Sequence, residues 1–152
     1  MSTPSLAAIA FTLMTLTSPA LAATPWQSCS GPPVADAASE LLPCTDRPNC
    51  VSTEHPADER RITPPQGLSF EALRKASLAE PRSQIVAEGP TWFIAHFRSR
   101  LFGFVDEAHV IQRADGQLAV RSGACSGYSD FGVNRARLLR IFTRASGGNR
   151  LE

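Results

Sequence analysis

Apolar positions between residues 83 and 124 fall into four short runs: SQIVAE (83–88), TWFIAHFRS (91–99), FVDEAHVIQR (104–113) and QLAVRSGA (117–124). Each has the length of a strand and is rich in β-branched and aromatic residues. Gly89-Pro90, Leu101-Phe102-Gly103 and Asp115-Gly116 separate them, and Asp-Gly between two such runs is a strong hairpin signal. Connections this short leave no room for crossover helices, so the pattern predicts a four-stranded antiparallel β-meander.

The period lengthens on either side of the meander. Ser69 has the chemistry of an N-cap and Glu71 suits the first turn of a helix, while Phe70, Leu73 and Leu78 supply an apolar stripe that Pro81 ends. A second helix is predicted over 133–145, with Leu138, Ile141, Phe142 and Ala145 on one arc and Arg137, Arg140 and Arg144 on the opposite, solvated side. Arg135 falls within the apolar arc near the first turn, and a charge there needs a partner. Asp130 is the nearest candidate in sequence. Gly147-Gly148 provides the exit. The expected architecture is therefore a single α+β domain, the meander flanked by an N-terminal and a C-terminal helix.

Residues 24–66 have no such rhythm. They are rich in proline and small polar residues, as in SGPPVADAAS and ITPPQG, and predict an extended arm with at most a short turn of helix around 37–42. Ahead of them MSTPSLAAIAFTLMTLTSPALAA carries no charged side chain, holds an apolar core from Leu6 to Leu16 and ends in Ala20-Leu21-Ala22. That is the pattern of a secretory signal peptide cleaved after Ala22 or Ala23, too short and too diluted by hydroxyls to span a membrane. The expected organisation is a signal peptide over 1–23, an arm over 24–66, a globular domain over 67–146 and a tail over 147–152, in a periplasmic or secreted protein.

Composition adds two constraints. The net charge is +1, and residues 91–152 carry nine basic against five acidic side chains, far from the dense basic face of a nucleic-acid binder. Four cysteines, Cys29, Cys44, Cys50 and Cys125, follow the leader, and in an oxidising compartment an even count argues for two disulfides. The loop CTDRPNC contains the turn formers Asp46, Pro48 and Asn49, which favour a local Cys44–Cys50 bridge and leave Cys29 for Cys125. Cys44, Cys50 and His55 have the ligand chemistry for zinc but not the short spacing of a structural site. No cofactor or metal is expected.

Candidate chemistry concentrates in RSGACSGYSDFGVNRAR (121–137). As a nucleophile elbow it fails, because Gly132 stands one place too late after Gly127-Tyr128-Ser129 and the sheet is antiparallel. His55, His96 and His109 are available as bases, but nothing in the sequence brings one to Ser129. As an anion site, the free N–H groups of the helix start would combine with Arg121, Tyr128, Ser129, Asn134 and Arg135. As architecture, Gly127 and Gly132 make the turns, Ser129 or Asp130 caps the helix, and Asp130 or Asn134 holds an arginine. Asp130 already brings the negative charge that a ligand would supply, which favours the architectural reading.

Two motifs carry a resemblance. CTDRPNCVST (44–53) and VRSGACSGYSDFGVNRAR (120–137), with FRSRLFGFVDEAHV (97–110) between them, resemble the family called domain of unknown function 1499. The resemblance implies a secreted, periplasmic or thylakoid-lumen setting and no established activity, substrate or cofactor. Thr45 departs from a proline of that pattern, and Cys125 from an arginine. Cys29 lies outside the matched region, so only Cys44 and Cys50 belong to the family pattern. The expected function is a non-catalytic binding or interaction protein of the cell envelope, its partner an envelope protein or an anionic small molecule held by Arg121, Tyr128, Ser129, Asp130, Asn134 and Arg135. The alternative is a small hydrolase-like enzyme using Asp106, His109, Ser129 and Asp130.

Overall fold

The structure, a computed structural model, describes residue 29 and residues 34–147. The expected leader, the first residues of the arm and the end of the tail lie outside this range. Five strands form one antiparallel sheet: β1 (Cys50–Ser52), β2 (Ser83–Gly89), β3 (Trp92–Arg98), β4 (Val105–Gln112) and β5 (Leu118–Ala124), in the order β1-β5-β4-β3-β2. The helices are α1 (Phe70–Leu78) and α2 (Val133–Ala145). Strands β2 to β5 are the predicted meander. At its Asp-Gly turn Gly116 has φ +84°, and Arg113 N–H donates to Gln117 O across the hairpin.

The fifth strand is a correction to the four expected. Three residues are too few to show a period, and the run lies in the predicted arm between a disulfide loop and a turn. It pairs with the edge of β5, Cys50 opposite Gly123 and Ser52 opposite Arg121. The segment 37–42, expected to make at most a short turn of helix, makes one turn, with Glu40 N–H donating to Asp36 O at 2.9 Å.

Strand alternation builds two different faces. Phe93, Ala95, Phe97, Ala108, Val110 and Val120 point to one side and meet Leu73 and Ala76 of α1 and Leu138, Ile141 and Phe142 of α2 in the main core. Both helices therefore lie on the same face. On the other face Ile94 packs with Val34, Ala37 and Leu42 of the arm, so the arm performs the covering task that a second helix layer would. Two disulfides, Cys44–Cys50 and Cys29–Cys125, fasten the arm to the sheet.

Three expectations about side-chain direction fail. Ser69 does cap α1, accepting Ala72 N–H at 3.1 Å, but Leu78 of its stripe is exposed. On α2 the arc facing the sheet is rotated toward Arg137, which is buried, while Arg135 lies at its margin. Arg140 and Arg144 are not a free solvated stripe either, since both reach the buried carboxylate of Glu80 at 2.9 Å. Burial raises the pKa of Glu80, but the hydrogen bonds from Arg140 and Arg144 outweigh it and leave the group below its ordinary value.

Candidate functional site

The 121–137 segment organises the start of α2. Asp130 accepts Gly132 N–H at 3.1 Å through Oδ1, and both Asn134 N–H at 2.9 Å and the Asn134 amide at 2.8 Å through Oδ2. Asn134 Oδ1 in turn accepts from Ser122 Oγ at 2.6 Å and Arg137 at 3.0 Å. Arg137 continues the chain to Asp106 Oδ2 at 2.6 Å, with its guanidinium 4.7 Å from the centre of the Phe97 ring. A carboxylate of the protein thus occupies the anion-favouring end of the helix.

The expected Asp130–Arg135 pair does not form. Arg135 donates instead to the carbonyls of Glu59 and Arg61, at 2.6 and 2.9 Å, beside the 3₁₀ turn Asp58–Arg60. Its position at the side of α2 brings it to that turn, whereas Asp130 faces the first backbone amides. The six residues expected to hold an anion are therefore split. Asp130 and Asn134 meet in the cap, Ser129 Oγ accepts Phe131 N–H at 3.2 Å, and Tyr128 is exposed. Arg121 projects from the opposite face of the sheet and is fully buried.

That opposite face holds a polar row absent from the sequence reading as a group. Glu107, His109 and Arg121 are each fully buried. Arg121 donates to Glu107 O and Oε1, both at 3.3 Å, and Glu107 Oε2 accepts Cys29 N–H at 3.3 Å and lies 3.2 Å from His96 Nε2. Burial pulls the Arg121 pKa down to about 10 against the attraction of Glu107. Gly123 leaves the space these groups need: a Cβ there would lie 2.9 Å from Cys50 Sγ and 3.0 Å from Arg121. His109 Nδ1 accepts Leu42 N–H at 3.0 Å and its Nε2 side donates to Ala37 O at 2.8 Å. Burial pushes its pKa down to about 4, aided by the charge of Arg121 and opposed by the Ala37 bond, so the ring is neutral at pH 7. The alternation of Glu107 and His109 along one strand, matched by Arg121 on the next, was the signal that could have found this row.

No catalytic set comes together among the described residues. Both nitrogens of His109 are engaged by the backbone, Asp106 is held by Arg137, and Ser129 and Asp130 serve the turn and the cap. Ligand atoms of Cys29, His96 and Glu107 lie within 4.8 Å of one another, but the Cys29 sulfur is bonded to Cys125 and offers no thiolate. A hollow of about 430 Å³ beside the Cys44–Cys50 loop includes His55 and Arg60 in its lining. His55 Nδ1 accepts Ala57 N–H at 3.1 Å, and Arg60 donates to Cys50 O and Thr45 O.

One end of the sheet displays large apolar side chains to solvent. Cys125 N–H donates to Val105 O at 2.9 Å, so the turn before β4 and the loop after β5 leave the sheet side by side. The first displays Leu101, Phe102 and Phe104, which are 81%, 71% and 59% exposed; the second displays Tyr128 at 73% and Phe131 at 95%. Phe102 and Phe104 stack with ring centres 5.6 Å apart. Phe131 has φ +52°, a left-handed conformation costing about 1 kcal/mol for a bulky L-residue. Arg98 and Arg100 flank the first turn, and Arg82 joins them by donating to Arg98 O at 3.0 Å.

The family model described as "Protein of unknown function (DUF1499)" aligns with residues 40–144. No curated protein and no solved structure matches the chain.

Proposed function

Since the chain belongs to the DUF1499 family, whose description carries no activity, we propose from its geometry that it is a non-catalytic interaction protein of the cell envelope. The observation that carries this reading is the exposure of Leu101, Phe102, Phe104, Tyr128 and Phe131 at one end of the sheet. Soluble domains rarely leave large apolar side chains clustered in water, and such clusters mark surfaces that meet a partner. The catalytic alternative has no comparable support, because Asp106, His109, Ser129 and Asp130 are each committed to structural bonds. An anionic small molecule at the start of α2 would meet the carboxylate of Asp130. Export is supported by the two disulfides, which persist in oxidising compartments, together with the leader-like first 23 residues. No helix among the described residues is long and apolar enough to cross a membrane.

The test is site-specific photo-crosslinking in cells that produce the protein. A benzophenone side chain at position 102 should give adducts that the same group at Gln117, exposed in the β4–β5 turn, does not. Equal or absent adducts at both positions would remove this end of the sheet as an interaction surface.

A further inference from the structure

We propose that the aromatic end of the sheet docks onto an anionic lipid surface, an inference that rests on reading this end as an interaction surface. Six of the eight exposed large hydrophobic side chains of the described residues, Leu101, Phe102, Phe104, Tyr128, Phe131 and Val133, lie on two loops and the first residue of α2 at this end. The loops project beyond the last paired residues of β3, β4 and β5. Protruding tips with separate apolar side chains suit a yielding medium such as the acyl boundary of a bilayer.

Charge selects the kind of surface. Arg82, Arg98 and Arg100 are exposed, and among the described residues none has a carboxylate within salt-bridge distance. Arg74 is neutralised by Glu88, Arg113 by Glu54, Arg137 by Asp106, and Arg140 and Arg144 by Glu80, while Arg47, Arg60 and Arg135 have their guanidinium groups on backbone carbonyls elsewhere in the fold. Between Phe97 and Val105 there is no acidic residue. Of the acids nearby, Asp106 pairs with Arg137 and Asp130 turns into the helix cap, leaving Asp46 as an exposed one in the neighbouring disulfide loop. Arginine stems can lie along the headgroups with their guanidinium groups on lipid phosphates, while Leu101 and Phe102 enter below them.

The experiment uses the exported, oxidised protein and sedimentation with vesicles of phosphatidylcholine alone or of phosphatidylcholine and phosphatidylglycerol in equal parts. Binding to the anionic vesicles should be about tenfold or more tighter than to the neutral ones and should weaken as salt screens the arginines. Arg98→Gln with Arg100→Gln should lose about fivefold per arginine. Leu101→Ser with Phe102→Ser should also abolish most binding. All four positions are exposed, so an unchanged melting temperature separates lost docking from lost folding. Binding that is absent, indifferent to lipid charge, or unaffected in both variants would overturn the proposal. Adducts to a protein from position 102, without vesicle binding, would overturn it while keeping the interaction reading; no position-specific adduct and no vesicle binding would end both.

Discussion

Arg137 and Asp106 meet at 2.6 Å beneath the first turn of α2, with 9% and 12% of their side chains exposed. The guanidinium also lies over Phe97 and reaches Asn134, so one arginine joins the helix, two strands and the cap. Removing one partner of a buried pair leaves the other desolvated without compensation, a cost of about 3 kcal/mol. Arg137→Ala should therefore lower the melting temperature far more than Arg135→Ala, whose bonds to two carbonyls lie at the surface. Equal losses in thermal unfolding would mean that the Asp106 pair contributes nothing special.

Asp130→Ala should destabilise the protein by about 1 kcal/mol or somewhat more, the usual loss for a capping side chain. Two backbone amides, those of Gly132 and Asn134, lose their acceptor together. Chemical denaturation of the variant measures this directly, and a change within error would argue that water replaces the carboxylate without cost.

His109 predicts an acid limb in the stability profile. Its folded pKa of about 4 lies below the 6.5 of the unfolded chain, so the unfolded state takes up a proton first as pH falls. The stability from keeping this ring neutral is complete above about pH 6.5 and declines toward pH 4, by on the order of 3 kcal/mol in all. Urea titrations across that window should show the decline, and His109→Gln should flatten it. An unchanged slope in the variant would assign the acid sensitivity to other groups.

The two disulfides should differ in weight. Cys29 and Cys125 are 96 residues apart and Cys44 and Cys50 only 6. The chain-entropy relation gives about 4–5 kcal/mol for the long loop and about 2 for the short one. Replacing Cys29 and Cys125 together by serine should lower the denaturation midpoint more than replacing Cys44 and Cys50. The reverse order would show that the arm is held mainly by Ala37, Leu42 and their contacts with His109.

Local chemistry made much of the fold legible. The boundaries of α2, the cap at Ser69, the meander and its Asp-Gly turn follow from residues adjacent in sequence. Pairing Cys44 with Cys50 followed from the turn formers between them, and is the pairing in the structure. Tertiary neighbours decided what was misread. Arg137 reads as solvated in sequence because its partner, Asp106, lies 31 residues away, and Arg135 reads as needing an acid where the carbonyls of Glu59 and Arg61 suffice. The row formed by Glu107, His109 and Arg121 exists only through strand register, with His109 opposite Arg121. Leu101 and Phe102 read as turn residues and lie in the β3–β4 turn; that this turn shares an end of the sheet with the loop carrying Tyr128 and Phe131 follows only from the antiparallel register of β4 and β5.

The arm that supplies Ala37 and Leu42 to His109 makes an early segment of this polypeptide depend on a later one. Residues near position 40 leave the ribosome well before β5, yet their resting place is a sheet that is incomplete until residue 124 has followed. Residues 34–42 therefore find their packing partners only once β3 and β4 have been made, and the covalent tie of Cys29 to Cys125 comes later still. A nascent chain halted before β4 would leave residues 34–42 without His109 to receive them.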